Sequence, residues 1–379
     1  MRQPLRVLHV VGAMNRGGVE TWLMNVLRRI DRRDFHLDFL VSTDRTAVYD
    51  EEVRSMGCQI IPCLHHDRPW IYARNFSRAL RRHGPYDIVH SHVERYSGFV
   101  LLLSHRAGVP VRIAHSHSSR LLIQPEASLA RRAYLGLMSR WIGRHATLGL
   151  ALTDQAAASL YGMNWRKDPR WRVLLCGIDT ARFQIAVNAA AVRQSLGLPP
   201  GTLNIMHTGT FVEVKNHSFI LDVAQEITRR EPNSRFILVG DGPLRAAMEQ
   251  KVARLGLSGH VLFTGVRADV QRLLLGAADV FVFPSRSEGL GQALVEAQAA
   301  GVPCVCSDHI PREAEVVQPL VRRLSLSLPA SVWADALLAS ARRGPGVTRA
   351  EALDRVSRNF NTQSSVDELA RLYAEPHPC

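Results

Sequence analysis

Two glutamates and two glycines between positions 288 and 296 are spaced so that they could bind a phosphate and neighbouring hydroxyl groups. Gly289 and Gly291, with Leu290 between them, lie at the start of a predicted helix, where backbone N–H groups can approach an anion and the helix dipole favours negative charge. Glu288 lies beside this loop, and Glu296 follows eight positions later. Because a carboxylate is not needed to bind phosphate, we expect sugar hydroxyls as the partners of both glutamates. The alternatives are a helix-terminal charge for Glu288 and a solvated side chain for Glu296.

The elements around this loop form a predicted β-loop-α-β unit. Residues 279–284 and 303–307 are short apolar runs, which are typical of strands buried on both faces. The helix between them is predicted over Gln292–Ala300. It ends at Gly301, a left-handed C-cap, and Pro303 cannot continue it. Such a unit belongs to a parallel sheet.

Strands and amphipathic helices alternate along the chain, and the pattern restarts near residue 203. Strands are predicted over residues 7–11, 36–42, 59–62, 87–91, 109–115, 147–152, 172–176, 203–207, 235–239, 261–263, 280–283 and 304–307. The alternation predicts an α/β fold with two doubly wound parallel sheets. We expect an N-terminal domain over 1–177 and a C-terminal domain over 178–379.

Length and composition limit the class of protein. A chain of 379 residues with 46% apolar content can bury two cores of ordinary size. The sequence contains no window of eighteen uninterrupted apolar residues, so we expect no transmembrane helix. We interpret the apolar run after Met1 as a first strand rather than a secretory signal. The six cysteines show neither metal-site spacing nor a disulfide framework, which suits a reducing compartment. We therefore expect a cytoplasmic protein.

The positive charge is concentrated in the first half. Residues 1–175 hold 26 Lys and Arg against 14 Asp and Glu, whereas residues 176–379 hold 21 against 20. This favours an anionic partner for the first half, either nucleic acid, a membrane surface or a phosphorylated acceptor. The segment Ser128–His145 is basic and amphipathic, with a stripe of Leu129, Ala133, Leu137 and Trp141. It could lie on an anionic bilayer, or it could be an ordinary core-packed helix.

The stretch from residue 284 to 303 resembles the signature of glycosyltransferase family 4. The matching residues are Pro284-Ser285-x-x-Glu288-Gly289-Leu290 and Glu296-Ala297-x-Ala299-x-Gly301-x-Pro303. The resemblance implies the GT-B fold, in which two Rossmann-like domains face a cleft, and retaining transfer of a sugar from a nucleotide sugar. It also implies that the last helices, within the segment assigned to the C-terminal domain, pack back on the N-terminal domain. Ile113–His117 and Glu296–Gly301 are most similar to the capsular and exopolysaccharide branch of that family.

Gly17 and Gly18 join the first strand to its helix. They do not match the G-x-G-x-x-G dinucleotide fingerprint, and no acidic residue on the second strand is placed to hold an adenosine ribose, which argues against a nicotinamide enzyme. At a helix N-terminus they could face the donor diphosphate or the acceptor, or they could form a plain strand-helix turn. Their similarity to the Gly-Gly-x-Glu loop of the family favours the functional interpretation.

His115 and His117 lie two residues apart at the end of a predicted strand, so both side chains lie on one face. A metal pair is one interpretation, but no carboxylate or cysteine cluster accompanies them, and a polar strand end is equally consistent. Family members carry a histidine here, beside the donor sugar. The resemblance favours His117 slightly over His115.

The loop from Gly209 to Asn216 resembles the family segment in which a Gly-Arg pair and a Lys-Asn pair hold the diphosphate. Lys215 and Asn216 are present, but Thr210 stands in the place of the arginine. A hydroxyl can donate a hydrogen bond to a phosphate but adds no charge. Stabilisation of the leaving group would then fall mainly to Lys215 and the helix start after Gly289.

Two further landmarks of the family follow at strand ends. Gly240 lies in a Gly-Asp-Gly-Pro turn, and the loop at Val266 and Arg267 would hold the base through backbone groups. Arg267 or Arg286 could supply the charge that is missing at position 210.

These residues predict a metal-independent, retaining glycosyltransferase that uses a nucleotide-diphosphate sugar, with uridine the expected base. Glu288 would contact sugar hydroxyls, Glu296 the ribose and Lys215 the diphosphate. No Asp-x-Asp triplet occurs, so we expect no metal at the diphosphate and no cofactor. The acceptor would be lipid-linked or a saccharide in cell-surface polysaccharide assembly, with the enzyme cytoplasmic and peripheral on the inner face of the cell membrane.

Three other functions remain open at this point. For a nicotinamide dehydrogenase, the chain lacks the dinucleotide-binding loop. An epimerase or hydrolase on the same fold would consume the donor without an acceptor. The threonine at position 210 also allows a non-catalytic binder of sugar nucleotides. Nucleic-acid binding has only the charge in its favour, with no matching motif, so we expect no nucleic-acid partner.

Overall fold

Two separate parallel sheets organise the chain in the computed structural model, which describes residues 3–118 and 128–376. Unit 1 consists of Met1–Gly177 and Thr362–Cys379, and unit 2 consists of Ile178–Asn361. Cys379, the last of the six cysteines, lies outside the described residues.

The first part of unit 1 alternates strands and helices. In chain order they are β1 (Leu5–Val11), α1 (Gly18–Arg29), β2 (Phe35–Val41), α2 (Asp50–Ser55), β3 (Ile60–Pro62), α3 (Pro69–His83), β4 (Ile88–Ser91), α4 (Ser97–Arg106), β5 (Val111–Ser116), α5 (Leu129–His145), β6 (Leu148–Ala151), α6 (Asp154–Tyr161) and β7 (Trp171–Val173). All seven strands are parallel, in the order β3-β2-β1-β4-β5-β6-β7. The order reverses between β1 and β4, and ligands of open α/β sheets bind at such a switch point.

Unit 2 repeats this arrangement. Its elements are α7 (Ala189–Ser195), β8 (Leu203–Thr208), α8 (His217–Arg230), β9 (Ser234–Val239), α9 (Arg245–Arg254), β10 (Val261–Gly265), α10 (Val270–Gly276), β11 (Val280–Phe283), α11 (Gln292–Ala299), β12 (Cys304–Ser307), β13 (Val321–Leu324), α12 (Ala330–Arg343) and α13 (Arg349–Asn359). The parallel strands lie in the order β10-β9-β8-β11-β12-β13. The switch point is between β8 and β11.

The predicted fold class and all twelve predicted strands are confirmed, and one strand was missed. β13 has the sequence Val-Arg-Arg-Leu and forms the edge of the second sheet, where only one neighbouring strand covers it. Its two arginines break the apolar pattern, which a central strand would keep. An edge strand tolerates this, because charged side chains there also discourage pairing with other chains.

The last helix, α14 (Thr362–Ala374), belongs to unit 1 although the chain reaches it through unit 2. Val366, Leu369 and Leu372 are buried on it. Its Ser365 hydroxyl accepts a hydrogen bond from the indole of Trp22 in α1 at 3.3 Å. α14 therefore covers part of the first sheet together with α1.

α5 packs through a different face from the stripe seen in the sequence. Met138 and Ile142 are buried, and Gly98 of α4 lies so close to Met138 that a side chain at position 98 would clash with its backbone. Leu129 and Leu137, by contrast, are 83% and 43% exposed. Trp141 of the stripe is partly buried and its ring stacks on that of Phe99 in α4. The helix is therefore packed against α4, while Leu129 and Leu137 of the stripe stay exposed.

The five described cysteines are buried and free of disulfides, as the spacing predicted. Among the described residues, no helix is both long enough and apolar enough to cross a membrane.

Candidate functional site

The predicted donor residues of unit 2 meet at the carboxyl ends of β8 and β11. Lys215 follows β8 and Glu288 follows β11, and the Lys215 ammonium lies 2.6 Å from Glu288 Oε1. The side chains are only 20% and 10% exposed, and the Lys215 ammonium also lies 5.4 Å from the centre of the Phe283 ring. The switch point thus carries a partly desolvated cation whose present partner is one carboxylate oxygen.

The glycines of the site allow backbone segments to approach closely. Gly240 has φ +135°, and a side chain there would clash with the carbonyl oxygen of Gly209. Gly265 follows with φ +72°, and the side chain of Val266 after it is 54% exposed. The lack of a side chain at Gly240 therefore allows the loops after β8 and β9 to approach closely.

Asn216 holds the loop after β8 against the loop after β11. Its backbone is left-handed, with φ +58°, and its side-chain amide donates a hydrogen bond to the Pro284 carbonyl at 3.2 Å. The exposed Arg286 lies beside it, with Nη2 3.4 Å from Asn216 Oδ1. Thr210 is exposed in the same loop region.

Gly291 begins α11 as predicted, in a left-handed conformation with φ +91°. As a glycine, this N-cap residue has no side chain that could cap the first turn of the helix. Leu290 is 1% exposed and anchors the loop in the core, and Gly289 is buried beside it. The start of α11 is therefore held rigidly, and it carries the partial positive charge of a helix N-terminus.

Glu296 lies in the second turn of α11. Burial raises the pKa of its carboxyl group to about 7, and the nearby charge of Arg182 opposes that rise. A carboxyl group with this pKa is well suited to exchange hydrogen bonds with hydroxyl groups, because both of its protonation states exist near neutral pH.

Arg267, after β10, forms a two-point ion pair. Its Nε and Nη2 donate hydrogen bonds to the two carboxylate oxygens of Asp269, both at 2.8 Å. This ion pair holds the Arg267 guanidinium, just as the ion pair with Glu288 holds Lys215. Arg267 and Arg286 therefore both stay candidates for the charge that is missing at position 210.

In unit 1, the Glu20 side chain of the Gly-Gly-x-Glu loop folds back beside Gly17. Gly17 is the N-cap of α1, and a side chain at this position would clash with the Glu20 carboxylate. Burial raises the pKa of Glu20, and a hydrogen bond from its own backbone N–H opposes this shift. Glu20 therefore caps the helix that Gly17 and Gly18 begin.

His115 and His117 lie on one face as predicted, with ring centres 4.0 Å apart, and three more histidines join them. We define the histidine cluster as His9, His90, His92, His115 and His117. These side chains come from β1 and β4, from β5, and from the residues that directly follow β4 and β5. The cluster thus occupies the switch point of the first sheet.

Hydrogen bonds link the rings of the cluster. His92 lies between His9, at 3.0 Å, and His117, at 2.8 Å. His90 Nε2 lies 3.1 Å from His115 Nδ1, and His90 Nδ1 lies 2.7 Å from the Tyr373 hydroxyl of α14.

The five rings are buried, but to different degrees. His9, His90 and His115 have no exposed surface, whereas His92 is 7% and His117 is 9% exposed. Burial lowers the pKa of His9 and of His117 to about 3, and it lowers the pKa of the other three as well. The cluster is therefore uncharged at neutral pH.

Glu94 is a site residue that the sequence interpretation missed. It follows β4, has φ +50°, and accepts a hydrogen bond from the His117 backbone N–H at 3.0 Å. Burial raises the pKa of its carboxyl group to about 7. The sequence interpretation also missed His9, His90 and His92. For His90 and His92 the available signal was the repeated His-Ser-His motif at residues 90–92 and 115–117, since neighbouring parallel strands place two such motifs side by side.

Both halves of the chain match families of known proteins. Residues 17–203 match the family described as Glycosyl transferase 4-like domain, and residues 188–336 match Glycosyl transferases group 1. EpsF of Bacillus subtilis (strain 168), named as a glycosyltransferase, is 35% identical over 97% of this chain and 96% of its own. The capsular polysaccharide biosynthesis glycosyltransferase CapH of Staphylococcus aureus is 26% identical over 83% of this chain and 84% of its own.

Solved structures support the fold. HepE of Anabaena, in complex with UDP and glucose, has a TM-score of 0.80, with 17% identity over 98% of this chain and all of its own. WaaG, a glycosyltransferase involved in lipopolysaccharide biosynthesis, has a TM-score of 0.76, with 16% identity over 98% of this chain and all of its own. At these identities the likeness concerns the fold alone.

Proposed function

The chain belongs to glycosyltransferase family 4, with a GT-B fold, and on this premise we propose that it is a retaining glycosyltransferase that uses a UDP-sugar donor. The observation that carries the proposal is the Lys215 ammonium held beside Glu288 at the switch point of unit 2, next to the start of α11. A diphosphate bound there would meet one fixed cation and the N–H groups of a helix N-terminus.

The site residues then divide the donor between them. Lys215 and the start of α11 bind the diphosphate, and Asn216 keeps the two loops together through Pro284. Glu296 accepts hydrogen bonds from the ribose. Glu288 contacts the hydroxyls of the transferred sugar and gives up part of its pairing with Lys215 when the diphosphate arrives.

Charge stabilisation of the leaving UDP is the main chemical task of these residues. The developing negative charge on the diphosphate is met by Lys215, by the helix dipole and by Arg286, so the proposed reaction needs no metal at this position. Retention follows if the acceptor attacks from the face that UDP leaves, with a diphosphate oxygen taking the acceptor proton. This route requires no carboxylate at the reacting carbon.

Two similar proteins support the proposed type of donor and acceptor. One relative, 28% identical over 59% of this chain, is a galactosyltransferase of Escherichia coli that acts on a sugar-diphosphoundecaprenol with UDP-Gal. Together with CapH, it supports a saccharide or lipid-linked acceptor in polysaccharide assembly. The exposed Leu129 and Leu137, next to the arginines of α5, would suit contact with an anionic membrane surface.

The experiment measures UDP binding by calorimetry and donor hydrolysis across a panel of nucleotide sugars. Lys215→Ala should weaken UDP binding about tenfold or more, because a partly desolvated charge is lost from the diphosphate. Lys251→Ala is the matched control. Lys251 is a unit 2 lysine that pairs with Asp222 on α8, and its removal should leave binding unchanged.

Three results would contradict the proposal. Equal UDP binding by the Lys215 and Lys251 variants would remove the proposed diphosphate site. Binding of UDP-sugars without transfer of the sugar to any lipid-linked or saccharide acceptor would indicate a non-catalytic binder. Turnover that requires added Mg²⁺ would contradict the metal-independent mechanism.

A further inference from the structure

The histidine cluster contains a row of three hydrogen-bonded rings that runs from the interior of unit 1 toward its surface. The members are His9, His92 and His117. His9 has no exposed surface, whereas His117, directly after β5, is 9% exposed. We propose that this row fixes the tautomer of His117, so that its Nδ1 donates a hydrogen bond to an oxygen of a sugar substrate. His9 and His92 are then positioning residues.

The hydrogen bonds of the row leave one nitrogen of His117 for a substrate. His92 Nδ1 lies 2.8 Å from His117 Nε2, and His92 Nε2 lies 3.0 Å from His9 Nδ1, so both nitrogens of His92 are engaged. His117 Nδ1 is buried and has no hydrogen-bond partner among the described residues. A buried polar atom without a partner costs about 1–3 kcal/mol. A sugar oxygen that displaces the group now covering Nδ1 would remove this cost.

Two arrangements of hydrogens are compatible with the row, because each neutral imidazole carries one N–H. The three rings are neutral near pH 7, since burial lowers the pKa of each of them. In the first arrangement every Nδ1 carries the hydrogen, and His117 Nδ1 is a hydrogen-bond donor. In the second arrangement every Nε2 carries the hydrogen, and His117 Nδ1 is an acceptor.

The inner end of the row favours the first arrangement. His9 Nε2 is buried and has no partner within the part of the chain that the structure describes. The second arrangement would leave an N–H group there without an acceptor, and buried N–H groups of this kind are rare in proteins. The first arrangement also turns the positive end of each ring dipole toward the substrate, which suits the negative charge of a nucleotide sugar or a lipid-linked diphosphate.

His117 is held through its backbone as well as through its ring. Glu94 Oε1 accepts a hydrogen bond from the His117 backbone N–H at 3.0 Å. The ring of Trp22 in α1 lies beside the imidazole, with the ring centres 6.2 Å apart. His117 is therefore positioned before a substrate arrives, which lowers the entropic cost of ordering it on binding.

His115 is less suited to this role. Its Nδ1 lies 3.1 Å from His90 Nε2, and His90 in turn contacts the Tyr373 hydroxyl. His115 has no exposed surface, so this second row ends inside unit 1. Of the two histidines that the sequence singles out, the hydrogen bonds and the exposure support His117 as the one that contacts a sugar.

The inference rests on the proposed glycosyltransferase function, but its first test needs no substrate. Nitrogen-15 NMR of the full chain, labelled at histidine, distinguishes a ring N–H from a bare ring nitrogen. The spectrum of His117→Asn identifies the signals of His117 by their loss. We expect the hydrogen on Nδ1 and a bare Nε2. A hydrogen on Nε2 of His117 would overturn the proposal.

The second test removes the central ring of the row. His92→Phe keeps an aromatic side chain but loses both hydrogen bonds. It should lower kcat/KM for sugar transfer about tenfold or more, because His117 is no longer fixed, and it should leave the binding of UDP unchanged, because UDP carries no sugar. His92→Asn keeps an amide N–H that can donate to His117 Nε2, and should recover most of the activity. His105→Asn on α4 is the control, since this exposed histidine lies outside the cluster.

Donor hydrolysis without an acceptor identifies the sugar that His117 contacts. A loss of both hydrolysis and transfer in His92→Phe assigns the contact to the transferred sugar, whereas a higher KM for the acceptor alone assigns it to the saccharide acceptor. Full transfer activity in His92→Phe would overturn the proposal. Failure of the unaltered chain to bind UDP would instead contradict the proposed donor site. The NMR measurement on the unaltered chain still decides the tautomer in that case, and also if the variants fail to fold.

Discussion

Glu296 gives unit 2 a carboxyl group that titrates near neutral pH, because burial raises its pKa to about 7. About a tenth of it is ionised at pH 6 and about nine tenths at pH 8. If the carboxylate accepts hydrogen bonds from the ribose, uridine should bind at least about threefold more tightly at pH 8 than at pH 6. Uridine is the appropriate ligand for calorimetry, because it lacks the titrating phosphate of UDP.

Glu296→Gln is the control for this prediction. The amide still offers an oxygen acceptor, but it does not titrate in this range. Its uridine affinity should therefore be independent of pH. An equal pH dependence in the variant would show that another group is responsible.

Thr210 and Arg286 form the second prediction at the scale of single residues. Thr210→Arg should strengthen UDP binding about tenfold, since it adds a charge at an exposed position of the diphosphate loop. Arg286→Ala should weaken binding in the natural background and have a smaller effect in the Thr210→Arg background. Calorimetry on the four proteins of this cycle measures the coupling, and strictly additive effects would mean that the two positions do not serve the same phosphate.

The elements of unit 2 depend on close backbone contact at the site. Gly240→Ala should abolish measurable UDP binding and lower the melting temperature by several degrees, because the new methyl group would clash with the Gly209 carbonyl at a strained φ of +135°. Gly259→Ala is the matched control, since a side chain there meets no atom within 4 Å. A Gly240 variant with full UDP affinity would show that the loop can move away.

The elements were predictable because parallel strands buried on both faces have apolar runs of their own. β13 lacks such an apolar run, because it is an edge strand that contains two arginines. The loop around Gly291 could also be predicted, because its functional groups are neighbours in the sequence. The pairing of Lys215 with Glu288 and the assembly of the histidine cluster depend on strand order, which periodicity within each segment does not reveal.

At the scale of the whole molecule, the chain returns to unit 1 in α14, whose Leu369 is completely buried. Leu369→Ala should destabilise unit 1 by about 2–5 kcal/mol through the cavity it leaves. Hydrogen exchange should therefore speed up in β1 and β4 while β8 and β9 keep their protection. Arg371→Ala is the control on the same helix, because its exposed ion pairs contribute little. Uniform loss of protection in both units would contradict a local role for α14.

This connectivity also sets the order of events on the ribosome. Domains generally fold as they emerge, with the N-terminal one first. Here the first 177 residues emerge without α14. Trp22 and His90 can form their hydrogen bonds to Ser365 and Tyr373 only after the intervening 184 residues of unit 2 have been translated. The domain that starts first is consequently completed last, and a nascent chain stalled within unit 2 would expose an apolar surface that chaperones can bind.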